Sequence, residues 1–298
     1  MTALVISPFI MGMICYMAGR RDHKVMCLIS DLTCSAAWLY SLVMLLSFGN
    51  AAAGLEMGEY VRTFHIDGIC GFGLSFGYDG MRLIYVSIAC FMWMIASLAG
   101  GQYFEGHKNS GRFYMFLLFT LGATLGVLLS TDLLSLYVFF EIMSFTSYCW
   151  VVQEEDDKAM RAGATYLAIA VIGGLIMLMG LFLLYYELGT LEIAQIKPLV
   201  EAAADKGIIR AAGICILAGF AAKAGLFPLH IWLPKAHPAS PAPASALLSV
   251  SDSQPGLEST LLSFRLLGLG ITSEELAALW DRNTWIRALP QTGIGYRQ

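Results

Sequence analysis

Charge is scarce in this chain. Asp, Glu, Lys and Arg make up 13% of its 298 residues, against about 25% in a soluble domain, while 57% are hydrophobic and the mean hydropathy is +0.67. That balance excludes an ordinary soluble domain. A net charge of −4 spread thinly along the chain leaves no basic face, so nucleic-acid binding is set aside as well. The seven cysteines, at 15, 27, 34, 70, 90, 149 and 215, sit in apolar segments, and no C-x-x-C or His/Cys cluster has metal-ligand spacing. They read as small buried residues, which implies neither a disulfide framework nor an iron–sulfur site. H-E-x-x-H, G-x-S-x-G and Gly-rich phosphate loops are missing too. An intramembrane hydrolase is therefore unsupported, and neither a catalytic site nor a bound cofactor or metal is expected.

What the chain has is long apolar runs. Stretches of bilayer-crossing length, about 20 residues, lie at 2–19, 25–48, 79–101, 113–131, 133–152, 160–186 and 208–227. The fold expected is all-α, a polytopic bundle of transmembrane helices whose seventh span breaks into prolines. The first run has no basic stretch before it and no small-residue cleavage site, so it reads as a retained helix rather than a signal peptide. Arg20, Arg21 and Lys24, then Lys108 and Arg112, then Lys158 and Arg161 fall in alternate loops. By the positive-inside rule those loops are cytoplasmic and the N-terminus is outside.

Of the outer loops, 49–78 carries a Gly-spaced, alternating segment from Phe64 to Asp79 that predicts a short hairpin. In 187–207, the Glu-Ala-Ala-Ala-Asp-Lys stretch at 201–206 predicts a surface helix. After Ser249 the long apolar spans stop, and Thr272 to Trp280 reads as a capped amphipathic helix too short to cross a bilayer. The organisation expected is thus 1–131, helices one to four with the outer hairpin; 132–249, helices five to seven and the opening of an eighth; and 250–298, an atypical amphipathic tail.

Lys223 is a cation inside an apolar span. A charge at bilayer depth costs roughly 2.5–3.5 kcal/mol on insertion scales, so a lysine kept there faces a polar path or a partner. Glu141 lies near the middle of the fifth span. Desolvation disfavours the charged form of either group and pairing favours it, so a buried Glu and Lys that alternate between paired and unpaired states exchange protons. Such a pair is a candidate proton relay. The competing readings are that Glu141 accepts a hydrogen bond from Ser144, Tyr137 or a neighbouring helix, and that Lys223 snorkels to an interface. His230, Lys235 and His237 stand among Pro228, Pro234 and Pro238, where broken helices build ion sites in transporters. They are candidates for a proton path, or groups that satisfy backbone freed by proline. Asp79, Arg82 and Asp132 lie close to helix ends and read as anchors, and Gly122 with Gly126 form a G-x-x-x-G that signals close helix packing.

The run from Lys223 through Ala-Gly-Leu-Phe-Pro-Leu-His-Ile-Trp-Leu-Pro-Lys-Ala-His to Pro238, the segment Pro243 to Ser249, and Phe140-Glu141 upstream resemble the proton-translocating antiporter-like membrane subunits. That family takes in the membrane subunits of respiratory complex I, of hydrogenase-4 and formate hydrogenlyase, and of multi-subunit cation/proton antiporters. The resemblance covers residues 1–249 and implies a 14-helix antiporter-like fold, with its mid-membrane Glu and broken-helix Lys matching Glu141 and Lys223. It also implies a place in the cell's inner (plasma) membrane, contact with lipid, and partnership with other membrane subunits and with hydrophilic redox subunits. The function implied is proton conduction, or Na⁺/H⁺ conduction, coupled to electron transfer in an NADH:quinone or hydrogenase-type complex. The alternatives are a cation/proton antiporter component without redox chemistry and an inactive product. The family's further ionisable residues have no counterpart in these residues, and the sharp departure at Val250 reads as a frameshift or premature truncation, or else as a short paralogue that docks its tail on a partner.

Overall fold

A computed structural model describes residues 2–51, 62–66, 73–107, 109–202, 206–226 and 229–249. In chain order these form α1 (Thr2–Gly19), α2 (His23–Ala51), strands β1 (Arg62–Ile66) and β2 (Leu74–Tyr78), α3 (Gly80–Tyr103), α4 (Ser110–Leu129), α5 (Leu133–Val151), α6 (Asp157–Leu188), α7 (Ile193–Ala202) and α8 (Lys206–Ala224). A 3₁₀ turn (Leu229–Trp232), α9 (Leu233–Ala239) and a last helical stretch over 242–249 follow. Among the described residues, seven helical segments are long and apolar enough to cross a membrane: α1 to α6, and the run Gly207–Ala239. Each apolar run in the sequence has its helix, and the fold is an all-α membrane bundle. The amphipathic helix expected at Thr272–Trp280, with the rest of the tail from Val250, lies outside the described residues, as does Pro228.

Helix boundaries follow local chemistry. Asp79, Asp132 and Asp156 are N-caps whose carboxylates accept from the backbone N–H of Arg82 at 2.8 Å, Ser135 at 2.7 Å and Ala159 at 2.5 Å. They occupy orphan donors at the first turns of α3, α5 and α6. Asp79, Arg82 and Asp132 are thus anchors at helix ends, Arg82 also donating to Ser130 O at 2.5 Å. The C-terminus of α6 closes on Gly189 at φ 72°, whose N–H reaches Tyr185 O at 2.8 Å.

The hairpin stands where the alternation placed it, antiparallel from Arg62↔Tyr78 to Ile66↔Leu74. α7 spans Ile193–Ala202 and takes in the first two residues of the Glu-Ala-Ala-Ala-Asp-Lys stretch, of which 203–205 lie outside the described residues. Ile193 and Ile196 are buried, and Ile193 N–H donates to Thr131 O at 3.1 Å, so apolar anchors position the start of the helix.

The central helix is α4, with 78% of its spanning window buried against 28% for α1 and 22% for α2. With no water to serve them, its hydroxyls turn back onto the helix: Thr120, Thr124 and Ser130 donate to the carbonyls of Phe116, Thr120 and Gly126 at 2.7–2.8 Å. Gly122 and Gly126 do mark close packing, but toward two different helices. A Cβ at Gly122 would meet Phe9 and the Val5 carbonyl of α1, and one at Gly126 would overlap the Phe139 ring of α5. Outward faces are apolar, with Leu32, Leu46, Ile172, Leu175 and Ile214 all largely exposed, as a hydrocarbon solvent permits.

The two ends of the bundle differ. At one, β2 meets the α4–α5 turn through Thr131 N–H to Ser75 O (3.0 Å), and the α6–α7 loop joins through Leu133 N–H to Leu191 O (3.0 Å). At the other, Arg112 holds the α5–α6 loop by donating to Gln153 O at 3.0 Å and pairing with Glu155. Asn109 and Glu155, both left-handed at φ 68° and 56°, make the turns that this clamp needs.

Candidate functional site

Helices α5, α6 and α8 frame the site. On α8, Ala212, Ile216, Gly219 and Lys223 recur at helical spacing and turn one face to α6, where Tyr166, Gly173, Met177 and Gly180 form the answering face. The helices approach closely because glycine leaves room. A Cβ at Gly219 would stand 2.5 Å from Met177 Cβ and 2.8 Å from Gly173 O, and one at Gly180 would stand 2.7 Å from Ala212 O. Close approach sets Lys223 against α6.

Lys223 is 3% exposed, which removes snorkelling as its explanation in this conformation. Its ammonium donates to Tyr166 Oη and sits 4.7 Å from the centroid of the same ring, so hydrogen bond and cation–π attraction come from one residue. The phenol continues the chain: Tyr166 Oη lies 2.6 Å from Ser147 Oγ, and Ser147 Oγ donates to Met143 O at 2.7 Å. Lys223, Tyr166 and Ser147 thus link α8 through α6 to α5. Trp232 fixes the tyrosine from the far side, packing edge-on at 4.9 Å and donating its indole N–H to Ala222 O at 2.9 Å. That bond occupies a carbonyl in the last turn of α8, where Gly225 at φ 64° ends the helix and Leu226 N–H returns to Ala221 O. A side chain at Gly225 would also collide with Leu233.

Glu141 stands two helical turns from Ser147 on α5. Its Oε1 is buried and takes no hydrogen bond. Ser144 is not its donor, because that hydroxyl bonds to Phe140 O at 3.0 Å. The carboxylate occupies the space that Gly174 leaves, since a Cβ there would overlap Oε1, and Lys223 acts on it electrostatically. On its other side Glu141 borders a cavity of about 450 Å³ between α5 and α6, lined also by Tyr137, Phe145, Val171 and Leu175. Glu141 thus stands between the Lys223 seam and a largely apolar groove on the outward side of α5 and α6.

Of the other candidates, Lys235 is exposed and approaches Thr165 Oγ1 at 3.5 Å. His237 Nδ1 lies 3.0 Å from Ser245 Oγ, joining α9 to the stretch 242–249. His230 is half-buried in the 3₁₀ turn after the break. The structure therefore brings Glu141 and Lys223 to one seam and spreads these three along the segment that follows. Sequence reasoning missed Tyr166, Ser147 and Gly174. The signal available was modest: a tyrosine and a Gly-Gly pair within an otherwise aliphatic span.

Residues 130–268 match the family described as NADH:quinone oxidoreductase/Mrp antiporter, TM, and the match runs past Ser249 into the residues assigned to the tail. The chain is 26% identical over 264 residues to a Na(+)/H(+) antiporter subunit of Alkalihalophilus pseudofirmus, covering 88% of this chain and 52% of that protein. It is 30% identical over 178 residues to hydrogenase-4 component B of Escherichia coli, covering 59% and 26%. This chain thus spans between a quarter and about half of these relatives' length. Two solved assemblies share the fold: the membrane-bound sulfane sulfur reductase, an archaeal respiratory membrane complex (TM-score 0.75, 19% identity, 87% of this chain and 52% of that one), and the Mrp complex from Dietzia sp. DQ12-45-1b (TM-score 0.73, 16% identity, 89% and 48%). With its helix order, its buried lysine and these likenesses taken together, the chain belongs to the antiporter-like membrane subunit family shared by complex I, hydrogenase-4 and Mrp antiporters.

Proposed function

We propose that this chain is a proton-conducting membrane subunit of a larger complex, with Glu141 and Lys223 as its relay pair. The observation that carries the reading is the pair's setting: a lysine 3% exposed whose ammonium is held by Tyr166, facing a carboxylate with a buried, unbonded oxygen. Neither charge is placed for stability alone, because a buried carboxylate oxygen left without a donor costs free energy. An arrangement that is incomplete in one state is completed in another, by a proton or by movement of the ammonium toward the carboxylate. Tyr166 and Ser147 give the lysine a hydroxyl-lined alternative to Glu141, and Lys235, His230 and His237 continue the path toward the loop after the break.

The chain sits in the plasma membrane with its N-terminus outside, a reading supported by Arg20, Arg21, Arg112, Lys158 and Arg161 lying opposite the hairpin end. Division of labour falls at residues 131/132, near the start of the family match at 130: helices before it scaffold, and 132–249 conduct. Other membrane subunits complete the path, and hydrophilic redox subunits drive it, as the likeness to hydrogenase-4 component B and to a respiratory complex supports. The second reading, cation/proton antiport without redox chemistry, is favoured by the likeness to a Na(+)/H(+) antiporter component.

The test uses everted vesicles from cells that make the whole complex with this chain as wild type, Glu141→Gln or Lys223→Ala. A pH gradient that forms on adding electron donor supports redox drive, and one that collapses on adding Na⁺ supports antiport. Either response lost in both variants, with the complex still co-purifying, supports the relay. Full proton coupling in both variants overturns it.

A further inference from the structure

A carboxylate that the relay does not use lies in α2. Asp31 stands two turns inside the helix, on the same face as His23 and Cys27 at four-residue spacing, and Cys27 Sγ is 3.6 Å from His23 Nδ1. Across the α2–α3 seam, Ser97 Oγ donates to Asp31 Oδ1 at 2.6 Å and lies 2.7 Å from Ser30 Oγ. Both serines are 0% exposed. Each hydroxyl has one proton. Ser97 commits its proton to the carboxylate, so Ser30 donates to Ser97, and two O–H dipoles point head to tail at one carboxylate oxygen.

The third wall is α4. Tyr114, fully buried, donates to Ser97 O at 3.4 Å and lies beside Cys27. Gly100 of α3 leaves the space for the phenol, since a Cβ there would stand 3.0 Å from Tyr114 Oη, and Gly101 faces both Tyr114 Oη and Cys27 Sγ at contact distance. The titratable groups that face Asp31 are Cys27 and Cys34 on its own helix, Cys15 on α1 and Tyr114 on α4, with Cys90 of α3 beside Cys34. All are neutral in their ordinary state near pH 7, so the oriented hydroxyls, rather than a countercharge among these groups, hold the carboxylate.

We propose that Asp31 is a second intramembrane proton-binding group, reached from the start of α2 along His23 and Cys27 and lying apart from the Glu141–Lys223 seam. When Asp31 takes up a proton, its new O–H donates to Ser97 Oγ, and Ser97 and Ser30 turn so that each donates the other way. No atom is lost and the chain of hydroxyls reverses. A carboxylate that merely ties α2 to α3 has no use for that reversible chain or for a file of polar atoms leading to the helix start.

The experiment is labelling of the full chain in its membrane with N,N′-dicyclohexylcarbodiimide, an apolar reagent that modifies protonated carboxyl groups, read by peptide mass spectrometry across a pH series. The expected result is an adduct on Asp31 whose yield falls as pH rises, absent in Asp31→Asn. Ser97→Ala removes the hydroxyl that donates to the carboxylate, so its adduct yield exceeds wild type by about tenfold, and Ser97→Thr returns it toward wild type. No Asp31 adduct at any pH, or a yield indifferent to pH, overturns the proposal. So does a Ser97→Ala profile that coincides with wild type. Adducts on Glu141 fall on a different peptide, so failure here leaves the Glu141 reading standing, and failure there leaves this one.

Discussion

Asp31 in α2 and Glu141 in α5 are carboxylates well inside their spans, and they are held in different ways. Asp31 accepts at one oxygen from a hydroxyl that is itself hydrogen-bonded. Glu141 has a buried oxygen that receives nothing, space made for it by Gly174, and a lysine committed for the moment to a tyrosine. The contrast separates a group poised to change partners from a group equilibrated where it is. A chain of hydroxyls can hold its group in either of two orientations, whereas an unmet buried oxygen is met only by a change of partner. The α5–α6–α8 seam is therefore the place to look for conduction, and the α2–α3 seam for storage.

The largest effect that would break this contrast is expected from Lys223→Ala. It removes the cation and leaves Tyr166 and Glu141 without it, so coupled proton transfer falls by at least about 100-fold, measured as the initial rate of pH-gradient formation. Glu141→Gln should match it, because an amide keeps the shape and loses the titrating group. Asp31→Asn assayed the same way is expected to leave most of that rate, and a loss equal to that of Glu141→Gln would erase the distinction between the two sites.

A smaller and sharper effect belongs to Gly174→Ala. The added methyl enters the space of the Glu141 carboxylate, and overpacking of this kind costs roughly 1–3 kcal/mol. Combined with the shorter Glu141→Asp, the double variant should recover part of the rate lost by Gly174→Ala alone. Simple addition of the two losses would show that the methyl acts elsewhere. Tyr166→Phe is expected to be milder, about tenfold, since it deletes one hydrogen bond to a charged group and keeps the ring under the ammonium. The smallest effect is reserved for Lys235→Ala: exposed and in touch with α6 through a 3.5 Å contact to Thr165, it should change the rate by less than about threefold.

The apolar runs made the seven spans legible, because a bilayer demands both length and composition and leaves little else to decide. The hairpin was legible from its alternation. The start of α7 was not, because it is set by Ile193 and Ile196 meeting the bundle. In the site, Glu141 and Lys223 stood out as charges in hydrocarbon. Tyr166, Ser147 and Gly174 did not, since a phenol, a hydroxyl and a missing methyl acquire meaning through what packs across the seam. Asp31 carried the same kind of signal as Glu141 and was overlooked, lying as it does among small polar residues that soften its contrast with the span around it.

The central claim is that Glu141 and Lys223 exchange protons as a pair, and one rate tests it most directly: proton uptake by vesicles carrying the assembled complex with Glu141→Gln. The account predicts an assembled complex whose driven proton uptake is lost. An assembled Glu141→Gln complex that takes up protons at the wild-type rate would contradict it.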